Sequence, residues 1–83
     1  MLGKNPRTPQ SAFGMVLRDL RKARGLTQEE LALEAGLQRN FVSLIELGHN
    51  QPSISTLWKL ADALEVKPSA FIEHVEKLIK QKG

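Results

Sequence analysis

Beyond the first ten residues, apolar side chains recur at spacings of three and four, interrupted at short intervals by glycine, proline or a hydroxyl residue. That rhythm is helical, since a half-buried strand would alternate at every second position. It predicts an all-α chain of five short helices. The first follows Ser11 as its N-cap, sets Phe13, Leu17 and Leu20 on one stripe, and ends at Gly25, which can take the left-handed C′ conformation. The second starts at Thr27, with Glu30 three residues on to close a capping box, and turns Leu31, Ala32 and Ala35 inward before stopping at Gly36. Leu37 points inward at the corner. A third helix at about residues 39–47 then buries Val42 and Ile45 and ends at Gly48.

His49 to Ser53 form a polar connector in which Pro52 blocks helix continuation. Ser53 caps a fourth helix carrying Ile54, Leu57, Leu60, Ala61 and Leu64, and Pro68 suits the first turn of a fifth, where its missing N–H is no loss. The fifth helix carries Phe71, Ile72, Val75, Leu78 and Ile79, a stripe wider than one core face needs. Phe71 and Val75 are expected to close the monomer core. Ile72, Leu78 and Ile79 are left for a two-fold interface with a second copy. Trp58 on the fourth helix is either an aromatic anchor of that interface or a residue half-buried within the monomer.

A chain of 83 residues has room for one core. The expected organisation is a flexible arm at 1–10 and a single domain at 11–83 with a C-terminal dimerisation helix. An apolar fraction of 41% and a charged fraction of 25% match a globular protein, and no apolar run approaches the roughly 18 residues of a spanning helix. No apolar stretch follows Lys4 and Arg7 to act as a secretion signal, so a cytoplasmic protein is expected. Cysteine is absent and the two histidines, His49 and His74, lie far apart, so neither disulfide nor metal nor other cofactor is expected. There is no nucleophile–base pattern and no glycine-rich phosphate loop, which argues against an enzyme.

The net charge of +3 is unevenly spread: Lys4, Arg7, Arg18, Arg21, Lys22 and Arg24 face only Asp19 before residue 25. Charge alone leaves two readings open, a surface for a polyanion or a solvated helix face. The spacing at about 28–47 is that of a helix-turn-helix. A short glycine turn between two helices sets them at a steep angle, so that the first lies across a DNA backbone while the second enters the major groove.

The stretch TQEELALEAGLQRNFVSLIELG, followed by QPSISTLWKLADALEV, resembles the lambda and 434 repressor and Cro family of helix-turn-helix proteins over about residues 12–66. The resemblance rests on Gln28 after the cap, Ala32 at the helix crossing, Gly36 at the turn, the Ile45–Glu46 pair and Gly48. It implies a five-helix lambda-repressor-like DNA-binding domain. It implies also that the third helix reads bases through Gln38, Arg39, Asn40, Ser43 and Leu44. Arg39 suits the O6 and N7 acceptors of guanine, Asn40 the N6 and N7 pair of adenine, and Ser43 either base. Leu44 stands where relatives carry a polar residue, and either touches a thymine methyl or flanks the core.

By the same resemblance, Gln28 and the positive end of its helix would grip phosphate, with His49, Asn50 and Gln51 extending the grip from the loop. This loop lacks the lysines common in relatives. His49 is as well read as a plain surface residue. Arg21 and Glu46 match a buried salt bridge tying helix 1 to the third helix, from which Arg21 would also face phosphate. The implied function is a transcriptional regulator, a repressor above all, that binds a palindromic operator in double-stranded DNA as a homodimer. The alternative is a protein-binding module of antitoxin type, whose partner would be a toxin; polymerase is a further possible protein contact.

Overall fold

The computed structural model describes residues 8–81. They form five helices: α1 (Pro9–Ala23), α2 (Gln28–Ala35), α3 (Arg39–Glu46), α4 (Ile54–Leu64) and α5 (Pro68–Lys80). Among the described residues there is no strand.

The helix ends follow local chemistry. Thr27 Oγ1 accepts from the Glu30 amide at 3.0 Å, and Glu30 Oε1 accepts from the Thr27 amide at 2.8 Å, so the capping box is complete. Ser53 Oγ accepts from the Thr56 amide at 3.1 Å at the start of α4. Pro68 occupies the first turn of α5.

The start of α1 differs from expectation. Thr8, not Ser11, is the N-cap, its hydroxyl accepting from the Ser11 amide at 3.2 Å, and Pro9 sits in the first turn at no hydrogen-bonding loss. Ser11 is buried inside the helix. Thr8, Pro9 and Gln10 are therefore part of the folded unit and not of an arm, and residues 1–7 of that arm lie outside the described residues.

Leu17, Leu31, Val42, Ile45, Leu60, Leu64 and Phe71 are fully buried, drawing one core from all five helices. α1 packs on α3 and α5, α2 on α3 and α4, and α4 on α5. The Phe13 and Phe71 rings stack with centroids 4.5 Å apart, which locks α5 across α1. α1 meets α3 at Gly14, where a Cβ would sit 2.8 Å from the Glu46 carbonyl oxygen and closer still to that of Ile45. Only a glycine lets the two backbones approach this far.

Candidate nucleic-acid interface

α2 and α3 are joined by Gly36 and Leu37. Gly36 has φ 72°, a left-handed conformation, and nothing lies within 4 Å of the position of its missing Cβ, so backbone angle and not space selects glycine there. The Leu37 amide donates to the Ala32 carbonyl at 2.8 Å, closing a Schellman motif, and the Leu37 side chain packs against the core. The next helix therefore starts in a fixed direction.

On α3, Val42 and Ile45 are fully buried, whereas Arg39 and Asn40 are exposed, Ser43 is half-buried and Leu44 is 39% exposed. One face of this two-turn helix holds it to the protein and the opposite face meets solvent. Gln38 is its exposed N-cap residue and makes no side-chain capping bond.

The end of α3 is fastened from α1. Glu46 is buried, and its carboxylate takes Arg21 Nε at 2.6 Å and Arg21 Nη2 at 3.1 Å in a bidentate pair. Arg21 Nη1 donates to the Leu26 carbonyl at 2.7 Å, and Gln28 Nε2 donates to Glu46 Oε1 at 3.0 Å. Arg39 Nη1 reaches Gln28 Oε1 at 3.4 Å. Arg21, Thr27, Gln28, Glu29 and Arg39 line one open groove between the start of α2 and the start of α3.

A helix-turn-helix family model matches residues 17–71 of the chain. The control protein C.BamHI of Bacillus amyloliquefaciens is 34% identical over 62 residues, covering 74% of this chain and 76% of that protein. This chain belongs to the helix-turn-helix family. The immunity repressor protein of Bacillus phage phi105 is 41% identical over 68 residues, covering 82% of this chain but 46% of its own length. The chain thus spans about half of that relative. Among solved structures, the restriction-modification controller protein C.AhdI from Aeromonas hydrophila is 43% identical with a TM-score of 0.71, covering 72% of this chain and 91% of that one. The controller protein C.Esp1396I, solved as a tetramer in complex with its natural 35 base-pair operator, is 32% identical with a TM-score of 0.82, covering 88% of this chain and 96% of that one.

In this helix-turn-helix protein the structure gathers Gln28, Gln38, Arg39, Asn40, Ser43 and Leu44 around the start and outer face of α3. Arg21 is only 8% exposed and gives three of its five N–H donors to Glu46 and the Leu26 carbonyl, while its side chain borders the groove shared with Gln28 and Arg39.

In the loop, His49 and Gln51 are exposed and Asn50 is half-buried. The His49 and Asn50 amides turn back to the Leu44 carbonyl at 2.9 and 3.3 Å, so only their side chains are left to meet an outside group. Gln10 Nε2 donates to the Gly48 carbonyl, a tie between α1 and this loop that no sequence motif signals. Among the described residues no cluster of three metal-ligating side chains occurs.

The expected interface set divides. Trp58 is 57% and Ile72 44% exposed, but Leu78 and Ile79 are partly buried and pack against the monomer core. Leu78 joins Val16 and Leu20 along one groove between α5 and α1, so part of the α5 stripe packs on its own monomer. Ile54 at the start of α4 is 69% exposed; it is one helical turn from Trp58 and lines a cleft together with Ile72. Ile54, Trp58 and Ile72 are thus the large exposed apolar side chains of α4 and α5, with Leu33, Leu44 and Leu47 exposed elsewhere among the described residues.

Proposed function

We propose that this chain is a sequence-specific regulator of transcription, with repression as its main mode, that binds a palindromic operator in double-stranded DNA as a homodimer. The observation that carries this reading is α3 itself. Its inner residues anchor it in the core while Arg39, Asn40, Ser43 and Leu44 stand outward at a helix-turn-helix corner. The similarity to C.Esp1396I, whose structure contains operator DNA, supports the same use of that face.

Gln38, Arg39, Asn40, Ser43 and Leu44 are the base-contacting set, with Arg39 placed for guanine. The Gln28 side chain and the leading amides of α2, those of Gln28 and Glu29, serve a phosphate, with the side chains of His49, Asn50 and Gln51 beside it. Ile54, Trp58 and Ile72 form the surface for the second copy. The place of action is the cytoplasm, and the chain is a binding protein and not an enzyme.

Selection of sites from a random duplex library tests the reading. The expected product is an inverted repeat whose half-sites lie about one helical turn, ~10 base pairs, apart. Recovery of no motif, with weak salt-sensitive binding only, would reject sequence-specific reading and turn the search to a protein partner such as a toxin.

A further inference from the structure

The chain leaves α3 at Gly48, whose φ is 80°. The Gly48 amide turns back to the Ile45 carbonyl at 3.0 Å, and those of His49 and Asn50 to the Leu44 carbonyl at 2.9 and 3.3 Å. The Gly48 carbonyl is taken from a different helix: Gln10 Nε2, in the first turn of α1, donates to it. A carbonyl oxygen accepts and cannot donate, so Gln10 must turn its NH2 group to Gly48, and its amide has one orientation. Among the described residues this is the one hydrogen bond that reaches segment 48–52 from an element other than α3. The backbones also approach here. A Cβ on Gly48 would lie 3.5 Å from Ser11 Cα, and Pro9 and Gln10 line a cleft together with Gln51 and Pro52.

We infer that Gln10 is a positioning residue for the grip on the DNA backbone: by holding the Gly48 carbonyl it seats segment 49–51 against α1, so that His49, Asn50 and Gln51 meet a phosphate in one arrangement. The inference rests on the reading of those three side chains as phosphate contacts. A segment fixed before binding has less freedom to lose when it docks. Segment 48–52 holds neither lysine nor arginine, so its grip depends on hydrogen-bond geometry more than on charge. Phosphates carry no sequence information, and the gain is therefore in affinity for every duplex and not in the choice of base.

The test compares the parent, Gln10→Met, the triple variant His49→Ala with Asn50→Ala and Gln51→Ala, and the combination of all four. Each is titrated against the selected operator and against an unrelated duplex. Methionine keeps the length of the side chain and removes the donor. The expected result is that Gln10→Met weakens binding to both duplexes about fivefold, leaves the selected motif unchanged, and has no further effect once the three loop side chains are gone. A changed motif would place the effect on α3 and overturn the inference. An effect that persists in the triple background would overturn it as well, since Gln10 would then touch DNA itself or act through the fold.

A readout in the free protein separates this inference from the DNA-binding reading. Hydrogen exchange of the His49 and Asn50 amides should be faster in Gln10→Met than in the parent, while amides inside α2 and α4 keep their rates. Equal exchange overturns positioning. A parent that binds no duplex even at low salt ends the phosphate reading and the inference together, whereas a parent that binds, with Gln10→Met binding equally well, ends the inference alone.

Discussion

Arg21 and Glu46 lie 25 residues apart and form a bidentate pair with N–O distances of 2.6 and 3.1 Å, joining α1 to the last residue of α3. Both side chains are buried, and the remaining arginine contact goes to the Leu26 carbonyl at 2.7 Å. With its partners present the pair is satisfied; with one removed, a charge is stranded out of water.

Glu46→Ala is accordingly expected to lower stability by about 3–5 kcal/mol, as for other buried pairs broken on one side. For a domain of this size each kcal/mol moves the melting temperature by about 4–8 °C. Replacing both partners with apolar residues of similar volume, Arg21→Met with Glu46→Leu, should recover most of the loss. Calorimetry of the three proteins checks it, and a single variant that melts with the parent would show that the pair contributes nothing to stability.

Gly14→Ala tests the crossing of α1 and α3. The added methyl meets two carbonyl oxygens of α3, those of Ile45 and Glu46, and backbone yields less readily than a side chain. Overpacking of this kind costs about 1–3 kcal/mol, whereas alanine in a helix interior would otherwise be favoured by about 1 kcal/mol. Chemical denaturation should show a clear net loss. A more stable variant would mean that propensity outweighs the clash.

Glu65 is the one non-glycine among the described residues with positive φ, at 60°, where it ends α4 in the left-handed region. That conformation costs an L residue about 1–2 kcal/mol, and glycine gives back about 0.5–1 kcal/mol through its freer unfolded chain. Substitution also removes the ion pair with Arg24, but this spans 3.7 Å with the glutamate side chain 75% exposed, and contributes little. Glu65→Gly should therefore raise the melting temperature by a few degrees, read by thermal denaturation; a fall would assign the ion pair a larger share than its exposure allows.

These positions show which parts of the fold are legible in the sequence. The Thr27–Glu30 box, the Gly36 turn and the Ser53 cap are local, written within four residues, and they form as read. Thr8 and Ser11 are two hydroxyls three residues apart, both able to cap; burial of Ser11 on the α3 end decides between them, and burial is tertiary. The close approach at Gly14 is tertiary for the same reason. Ile54 carries the apolar signature of a core position yet lies outside the helix–helix contacts, because hydrophobicity does not tell a core stripe from a surface meant to be covered later. Of the candidate site, α3 follows from the spacing of Val42 and Ile45, and the Arg21–Glu46 pair forms as the family resemblance implies, whereas the tie from Gln10 to the Gly48 carbonyl joins residues 38 apart and has no local signal.

The apolar surface makes the last prediction. Ile54, Trp58 and Ile72 are exposed to 69, 57 and 44%, and they come from two helices that pack on each other. Charges placed there, in Trp58→Glu with Ile72→Glu, touch little of the monomer core. Leu78, by contrast, packs inward. The double variant should sediment as a folded monomer at micromolar concentration, with a melting temperature close to that of the parent at low protein concentration and with weakened, non-cooperative binding to the selected operator. Leu78→Ala should do the reverse, losing about 2 kcal/mol of stability at most, as a half-buried leucine, while still forming dimers. If the parent itself sediments as a monomer and binds DNA without cooperativity, two half-sites cannot be read by one assembly, and the operator would have to be sought as a single half-site.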